Sequence, residues 1–279
     1  MQKIDRLGWA DGFAFISYGV PIGVRANSAE ALRLLRERFP PGWKSAALPV
    51  VDRLYSFVLG TESGRPGVQR FNLLYGDIAR LARTRRLDEA LDVFESNLQL
   101  YVAEAARRRV FVHAGVVGWK GRAIVVPGRS FTGKTSLVAA LVRAGATYYS
   151  DEYAVLDARG RVHPYPKPLQ LREDRSARQQ KYPVEAFGGR AGVKPLPVGL
   201  VIVSKYRAGA KWRARTVSAG RGSLELLANT VSARRRPEAA LSALQQVVAQ
   251  APVVKSVRGE ADETTGLILE YLDSLKEKA

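Results

Sequence analysis

The 279-residue chain contains no cysteine, one methionine and two histidines. Without thiols it can hold no disulfide framework, no cysteine nucleophile and no thiolate metal site. With only His113 and His163, a zinc centre is disfavoured. Long apolar runs are also lacking. No stretch of about eighteen apolar residues occurs, so no membrane-spanning helix is expected. Met1 to Arg6 has no continuous apolar core of signal-peptide length, and the expectation is a soluble, cytoplasmic protein. Acidic residues are scarce: 26 Asp and Glu face 44 Lys and Arg, a net charge of +18. Such an excess usually accompanies nucleic acid, an acidic membrane or a phosphate-rich ligand. The 46% apolar and 9% aromatic content excludes a wholly disordered chain, and the length suits one large or two modest domains.

The excess is not spread evenly. Residues 161–236 carry 17 basic and 4 acidic groups (+13), whereas residues 237–279 carry 4 and 7 (−3). The alternation Lys211-Trp212-Arg213-Ala214-Arg215 puts three cations on one strand face, which reads first as a solvated surface. Aromatic residues are scattered and no reading motif is present, so nucleic-acid binding is not favoured.

The pattern divides near Val110. Residues 1–109 read as a small α/β domain serving substrate recognition or packing between subunits. Strands are expected around Phe13 to Ile16 and Val20 to Val24, from Val50 to Leu59 and from Val68 to Leu74. A helix capped by Ser28 is expected before Pro40-Pro41. Asp88 to Arg108 has helical spacing and should end in Arg107-Arg108-Arg109, where cations oppose the helix dipole. Residues 110–279 begin with a strand pair, Val110 to Val117 and Ala123 to Val126, then a helix from Thr135 to Ala144 stopped by Gly145. Strands follow at Tyr148 to Ser150 and Ala154 to Leu156. Pro164 to Pro197 reads as irregular with a helix near Arg172 to Lys181, and Val198 to Ser204 with Lys211 to Ser218 as a strand pair. Helices are expected from Ser223 to Ala233, Glu238 to Gln250 and Glu263 to Leu275, with a strand at Val253 to Val257.

The most informative residues are Gly128-Arg129-Ser130-Phe131-Thr132-Gly133-Lys134-Thr135, followed by Ser136, a full match to G-x-x-x-x-G-K-[ST]. A strand precedes the match and an amphipathic helix follows it, which is the setting the motif requires. Glycines let successive backbone N–H groups face phosphate oxygens, Lys134 can reach the β- and γ-phosphates, and the Thr135 hydroxyl can ligate Mg²⁺. Seventeen residues after Lys134 stand Asp151 and Glu152. From the residues alone this pair reads equally as a base with a metal-holding neighbour or as a solvated acidic turn. Adjacent strand side chains point oppositely, so both serve one site only if the strand ends there. A lone histidine in an apolar strand, such as His113, ordinarily reads as a packed core residue. His163 reads as structural.

Val112-His113-Ala114-Gly115-Val116-Val117, Gly128 to Ser136, Arg143-Ala144-Gly145 and Ser150-Asp151-Glu152 stand in the order and at the spacing of a known catalytic domain. Together they resemble the HPr serine kinase/phosphorylase family. The resemblance covers Val110 to Leu156 strongly. It implies an α/β fold in which a P-loop-containing HPr kinase/PEP carboxykinase-like C-terminal domain, 110–279, follows a smaller α/β N-terminal domain, 1–109. It also implies ATP and Mg²⁺ as cofactors, His113 near the active site, Lys134 and Thr135 on phosphate and metal, and Asp151 as general base. Glu152 stands where the family has a second Asp. No Gly-Gly-x-Glu-[Val/Ile]-Arg-Gly-Leu-Gly segment is present, so phosphorylase activity is not expected. The whole is nearer to the peptide-modifying members, including lasso-peptide precursor kinases. The expected reaction is γ-phosphoryl transfer to a serine of a peptide or small protein. A small-molecule kinase and a non-catalytic nucleotide-dependent binding protein for an acidic partner are the alternatives. Arg234-Arg235-Arg236 is the candidate contact for acidic substrate or phosphate.

Overall fold

The computed structural model describes residues 3–60, 70–128, 132–171 and 180–275. It resolves into two compact units, Met1–Arg108 and Arg109–Ala279. Among the described residues no helix is long and apolar enough to cross a membrane.

In the first unit, β1 (Asp11–Ser17) and β2 (Val20–Ala26) form an antiparallel hairpin through Tyr18 and Gly19. Ser28 Oγ accepts the Ala31 N–H at 3.2 Å and starts α1 (Ala29–Arg36). Then come β3 (Lys44–Ser45), β4 (Arg53–Val58), β5 (Asn72–Gly76), β6 (Ala79–Thr84) and α2 (Leu87–Ala105). The sheet order is β3-β1-β2-β4-β5-β6, with β2 and β4 parallel. Strand β6 had no counterpart in the sequence reading. Helix α2 buries Leu91, Phe94, Leu98 and Val102, the spacing read from sequence. It stops at Ala105 because Ala106 leaves helical geometry (φ −55°, ψ 119°). Arg107 to Arg109 therefore lie beyond the helix and do not occupy its last turn.

The second unit opens with β7 (Val110–Trp119) and β8 (Arg122–Pro127), an antiparallel pair joined by Lys120 and Gly121, both at positive φ. Next come α3 (Lys134–Arg143), β9 (Thr147–Ser150), β10 (Tyr153–Leu156), β11 (Arg161–His163), β12 (Leu169–Leu171), β13 (Gln180–Tyr182) and β14 (Leu196–Tyr206). The chain ends with β15 (Arg215–Thr216), α4 (Ala219–Leu227), α5 (Pro237–Gln250), β16 (Val253–Arg258) and α6 (Ala261–Ser274). The main sheet runs β11-β10-β7-β8-β14-β16-β15, with β9 also on β7 and β11 also on β14. Strands β8, β14 and β16 are parallel, so their carboxyl ends share one edge.

Alternation along the strands gives each sheet face its own core. Val112, Ala114, Val116 and Val125 pack with Leu226 of α4 and Leu244 and Val247 of α5. Val117, Ile124 and Val126 pack with Leu137 and Leu141 of α3 and Ile268 and Leu272 of α6. A Cβ at Gly115 would lie 2.6 Å from Val138 Cγ2, so glycine there is what lets α3 lie close on β7.

Three expectations are corrected. The helix near Arg172 to Lys181 falls mostly outside the described residues, and its last two positions, Gln180 and Lys181, belong to β13. Lys211 to Ser218 does not pair with β14, because β8 and β16 already occupy both edges of that strand. Only Arg215–Thr216 is extended, on the outer edge of β16. The helix expected to run to Ala233 ends at Leu227. Beyond it the Asn229 carbonyl accepts the His113 N–H at 2.8 Å and Thr230 bridges Val112, before a 3-10 turn at Val231–Ala233.

His163 is structural. With the N–H groups of Arg159 and Arg161 and the Arg161 side chain, it converges on Asp157, which shapes the turn into β11. Burial acts to raise the Asp157 carboxyl, but the bonds from His163, Arg161 and Arg159 outweigh it and hold the group at about 2. A carboxylate depressed on folding stabilises above its unfolded value near 3.9 and loses that contribution as pH falls through about 2. Acid-induced unfolding of wild type should therefore lose about 1 kcal/mol across that window, screening allowed for, relative to Asp157→Asn. Urea titrations from about pH 5 to pH 2 check this; parallel stability curves for the two proteins would contradict it.

Candidate phosphate-binding site

Strand β8 runs into Gly128, and α3 starts at Lys134. Gly133 caps the helix in the left-handed region (φ 79°, ψ 17°), which glycine adopts without steric cost. Its carbonyl accepts the Leu137 N–H at 3.2 Å and Arg258 Nη2–H at 2.7 Å. Carbonyl and N–H lie on opposite sides of a trans peptide, so the Lys134 N–H points out of the helix N-terminus. Thr132 lies against Gly128, where a Cβ would come 2.9 Å from Thr132 Oγ1. Ser136 is exposed on the first turn. Arg129, Ser130 and Phe131 lie outside the described residues.

Lys134 Nζ donates to the Gly128 carbonyl at 2.5 Å. Burial lowers the pKa of its ammonium, against the opposing pull of Asp151 and Glu152. The acidic pair is close because β9 ends where it begins. Ser150 Oγ accepts the N–H groups of Glu152 (3.1 Å) and Tyr153 (2.9 Å), turning the chain so that strict strand alternation no longer applies.

Asp151 is 9% exposed. Its Oδ2 accepts the Thr135 hydroxyl at 3.1 Å and the Gln170 N–H at 3.4 Å. The Tyr148 hydroxyl lies 2.8 Å from Asp151 Oδ1 and 2.8 Å from the Lys167 carbonyl, with one proton to share between them. Burial first, then the Asp151 charge, keeps Tyr148 protonated. Glu152 accepts from Lys167 Nζ at 3.1 Å, and the Lys167 side chain is only 11% exposed.

His113 stands on β7 opposite Tyr153, with ring centroids 4.8 Å apart. Burial lowers its pKa and the Lys134 charge lowers it further, so the imidazole is neutral at pH 7. Arg234, Arg235 and Arg236 occupy the turn between the 3-10 segment Val231–Ala233 and α5, Arg234 and Arg235 exposed and Arg236 half-buried. They follow the Asn229–Thr230 backbone that pairs with Val112 and His113, rather than ending a helix.

The fold thus brings Lys134, Thr135, Asp151 and Glu152 together, with His113 within electrostatic reach. Sequence reasoning missed Tyr148, which it read only as strand, and Lys167, which it counted only as surface charge. Arg258 was missed altogether. Its signal was its place at the end of a strand: in parallel sheets, ligand-contacting groups gather at carboxyl ends.

The Lys134 amine should titrate below the ordinary lysine value, and Asp151→Asn, which removes the larger of two carboxylate contributions holding it up, should lower it further. Carbon-13 spectra of the lysine ε-carbons, followed from about pH 7 to pH 11, read both values. A Lys134 signal moving with the surface lysines would refute this account of the site.

Comparison with known protein families returns no match, and no curated protein matches the chain. Among solved structures, the chain is similar to the Hpr(Ser) kinase/phosphatase from Coxiella burnetii. That match has 16% identity and a TM-score of 0.31, and covers 61% of this chain and 99% of that one.

Proposed function

We propose that this protein is an ATP- and Mg²⁺-dependent kinase that transfers a γ-phosphoryl group to a hydroxyl, the acceptor being a serine of a peptide or small protein. The observation that carries the reading is the 3.1 Å bond from the Thr135 hydroxyl to Asp151. It joins the metal-binding position of the phosphate-loop motif to a buried carboxylate sixteen residues away, an arrangement a solvated acidic turn would not need.

The donor set fits the cofactor. Thr135, Asp151 and Glu152 offer only oxygens, which suit Mg²⁺. Among the described residues no group of three or more His, Asp or Glu forms a ready cage. An ion held by one or two carboxylates, with phosphate and water completing its shell, is the usual magnesium arrangement. Bound there, Mg²⁺ would neutralise charge on the phosphate oxygens.

The chain's own groups do the rest. Lys134 can keep its bond to Gly128 and turn its other two protons to phosphate. The outward Lys134 N–H and the helix dipole add positive potential at the same place. Asp151, oriented by Tyr148 and Gln170, has lone-pair capacity left to take the proton of the acceptor hydroxyl. As that O–H bond breaks, the new O–P bond forms and the bond from the γ-phosphorus to the β–γ bridging oxygen is released to the nucleoside diphosphate. His113, being neutral, offers one donor and one acceptor nitrogen without adding charge. Arg234 to Arg236 supply cations for an acidic acceptor.

Candidate peptides and free serine, incubated with Mg-ATP and analysed by mass spectrometry, test the reading. Wild type should yield phosphopeptide. Lys134→Ala should reduce transfer by about 10²–10³-fold. Asp151→Asn should lose about 10²–10⁴-fold while keeping the thermal shift caused by Mg-ATP. Full transfer by Asp151→Asn overturns its role as base, product from free serine alone moves the acceptor to a small molecule, and no thermal shift in wild type removes the nucleotide reading.

A further inference from the structure

Arg258, the last residue of β16, is 2% exposed. Its two hydrogen-bonded partners are main-chain carbonyls: Gly133, from Nη2 at 2.7 Å, and Gly259, from Nη1 at 3.1 Å. Nε has no partner. Glu260 stands nearby but accepts the Tyr206 hydroxyl at 2.6 Å, and the Tyr206 ring lies 5.6 Å from the guanidinium. Among the described residues no carboxylate pairs with Arg258. Burying a cation that no carboxylate meets directly is costly, even with Glu260 acting on it from nearby, and that cost is carried here at the carboxyl edge of the parallel strands, against the phosphate-loop motif. The approach is close enough that a Cβ on residue 133 would collide with Nη2.

We propose that Arg258 is a positioning residue of the phosphate site. By holding the Gly133 carbonyl it fixes the peptide whose opposite side is the Lys134 N–H, the donor aimed out of the helix N-terminus. Its charge, only partly offset by Glu260, adds a fixed positive potential that favours a polyphosphate, and no direct contact with the ligand is required. The proposal rests on the nucleotide reading and deepens it: the Gly133 peptide is set by a strand more than a hundred residues further along the chain, and recognition acts on the phosphates rather than on the base.

Arg258→Gln and Arg258→Lys in the full chain test this, each measured for thermal stability without ligand and, well below the melting point, for calorimetric affinity toward Mg-ATP and Mg-tripolyphosphate at fixed salt. The Kd of Arg258→Gln should rise about tenfold or more, by the same factor for both ligands, and Arg258→Lys, which keeps charge but not the fork, should recover part of the loss. A merely structural role would lower the melting temperature of the folded variants yet leave their affinities within about twofold of wild type, which overturns the proposal. Should Arg258→Gln not fold, Arg258→Lys decides by the same comparison. Wild type that binds neither ligand overturns the nucleotide reading and this proposal together, a failure visible before any variant is made.

Discussion

The second unit depends on the register of β7. On one edge it pairs with β8, which delivers the chain to Gly128; on the other it pairs with β9 and β10, which bracket Asp151 and Glu152. The Thr135–Asp151 bond is therefore a consequence of two ladders sharing one strand. A slip of one residue in either ladder would turn its side chains to the opposite sheet face, exchanging buried valines for the polar edge. That exchange is opposed by apolar packing on both faces, with α5 on one side and α3 on the other. Core packing and site geometry are thus one constraint, and Gly115, which lets α3 lie flat on β7, belongs to both.

On this frame the electrostatics have a direction. Lys134, His113 and Arg258 all have lowered pKa values, and burial is the largest cause in each case. The carboxylates offset this only in part, Asp151 and Glu152 at Lys134 and Glu260 at Arg258. Asp151 is bonded to the hydroxyls of Thr135 and Tyr148 and to a backbone N–H, and Glu152 accepts from Lys167. The carboxylates also have hydroxyl, amide and lysine partners of their own, and the cations at the helix N-terminus also bond carbonyl oxygens. Cations so incompletely offset beside a helix N-terminus favour an anion with oxygens enough to meet both them and the N–H groups.

What was legible in the sequence followed from local physics. The Gly145 stop and the Ser28 cap depend on neighbours a few residues away, and the structure places both where the spacing says; the helix expected after the phosphate-loop motif is there too, starting at Lys134. What was not legible was pairing over distance. Lys211 to Ser218 has a strand's alternation, but whether it becomes a strand depends on which edges are free, and β14 had none. Ser223 to Ala233 has a helix's composition, yet the claim of β7 on Asn229 and Thr230 ends the helix early. Tyr148 looked like any strand aromatic because strand alternation would put Asp151, three residues on, on the opposite face, and only the turn at Ser150 brings the two together.

Net charge misdirects for the same reason. The +13 stretch draws attention to residues 161–236, but a cation in water interacts weakly and is screened within about 10 Å. Most described cations of that stretch, Lys211, Arg213 and Arg215 included, are exposed. The cations committed to the site are Lys134, from a nearly balanced segment, Lys167, shielded against Glu152, and Arg258, from the segment whose net charge is −3. Burial, not abundance, gives a charge its leverage, because the energy of a charge pair rises as the surrounding dielectric falls. The chemistry of this edge therefore rests on a few dehydrated cations whose positions are fixed by backbone carbonyls, and the large surplus outside can serve at most to draw an acidic partner toward them.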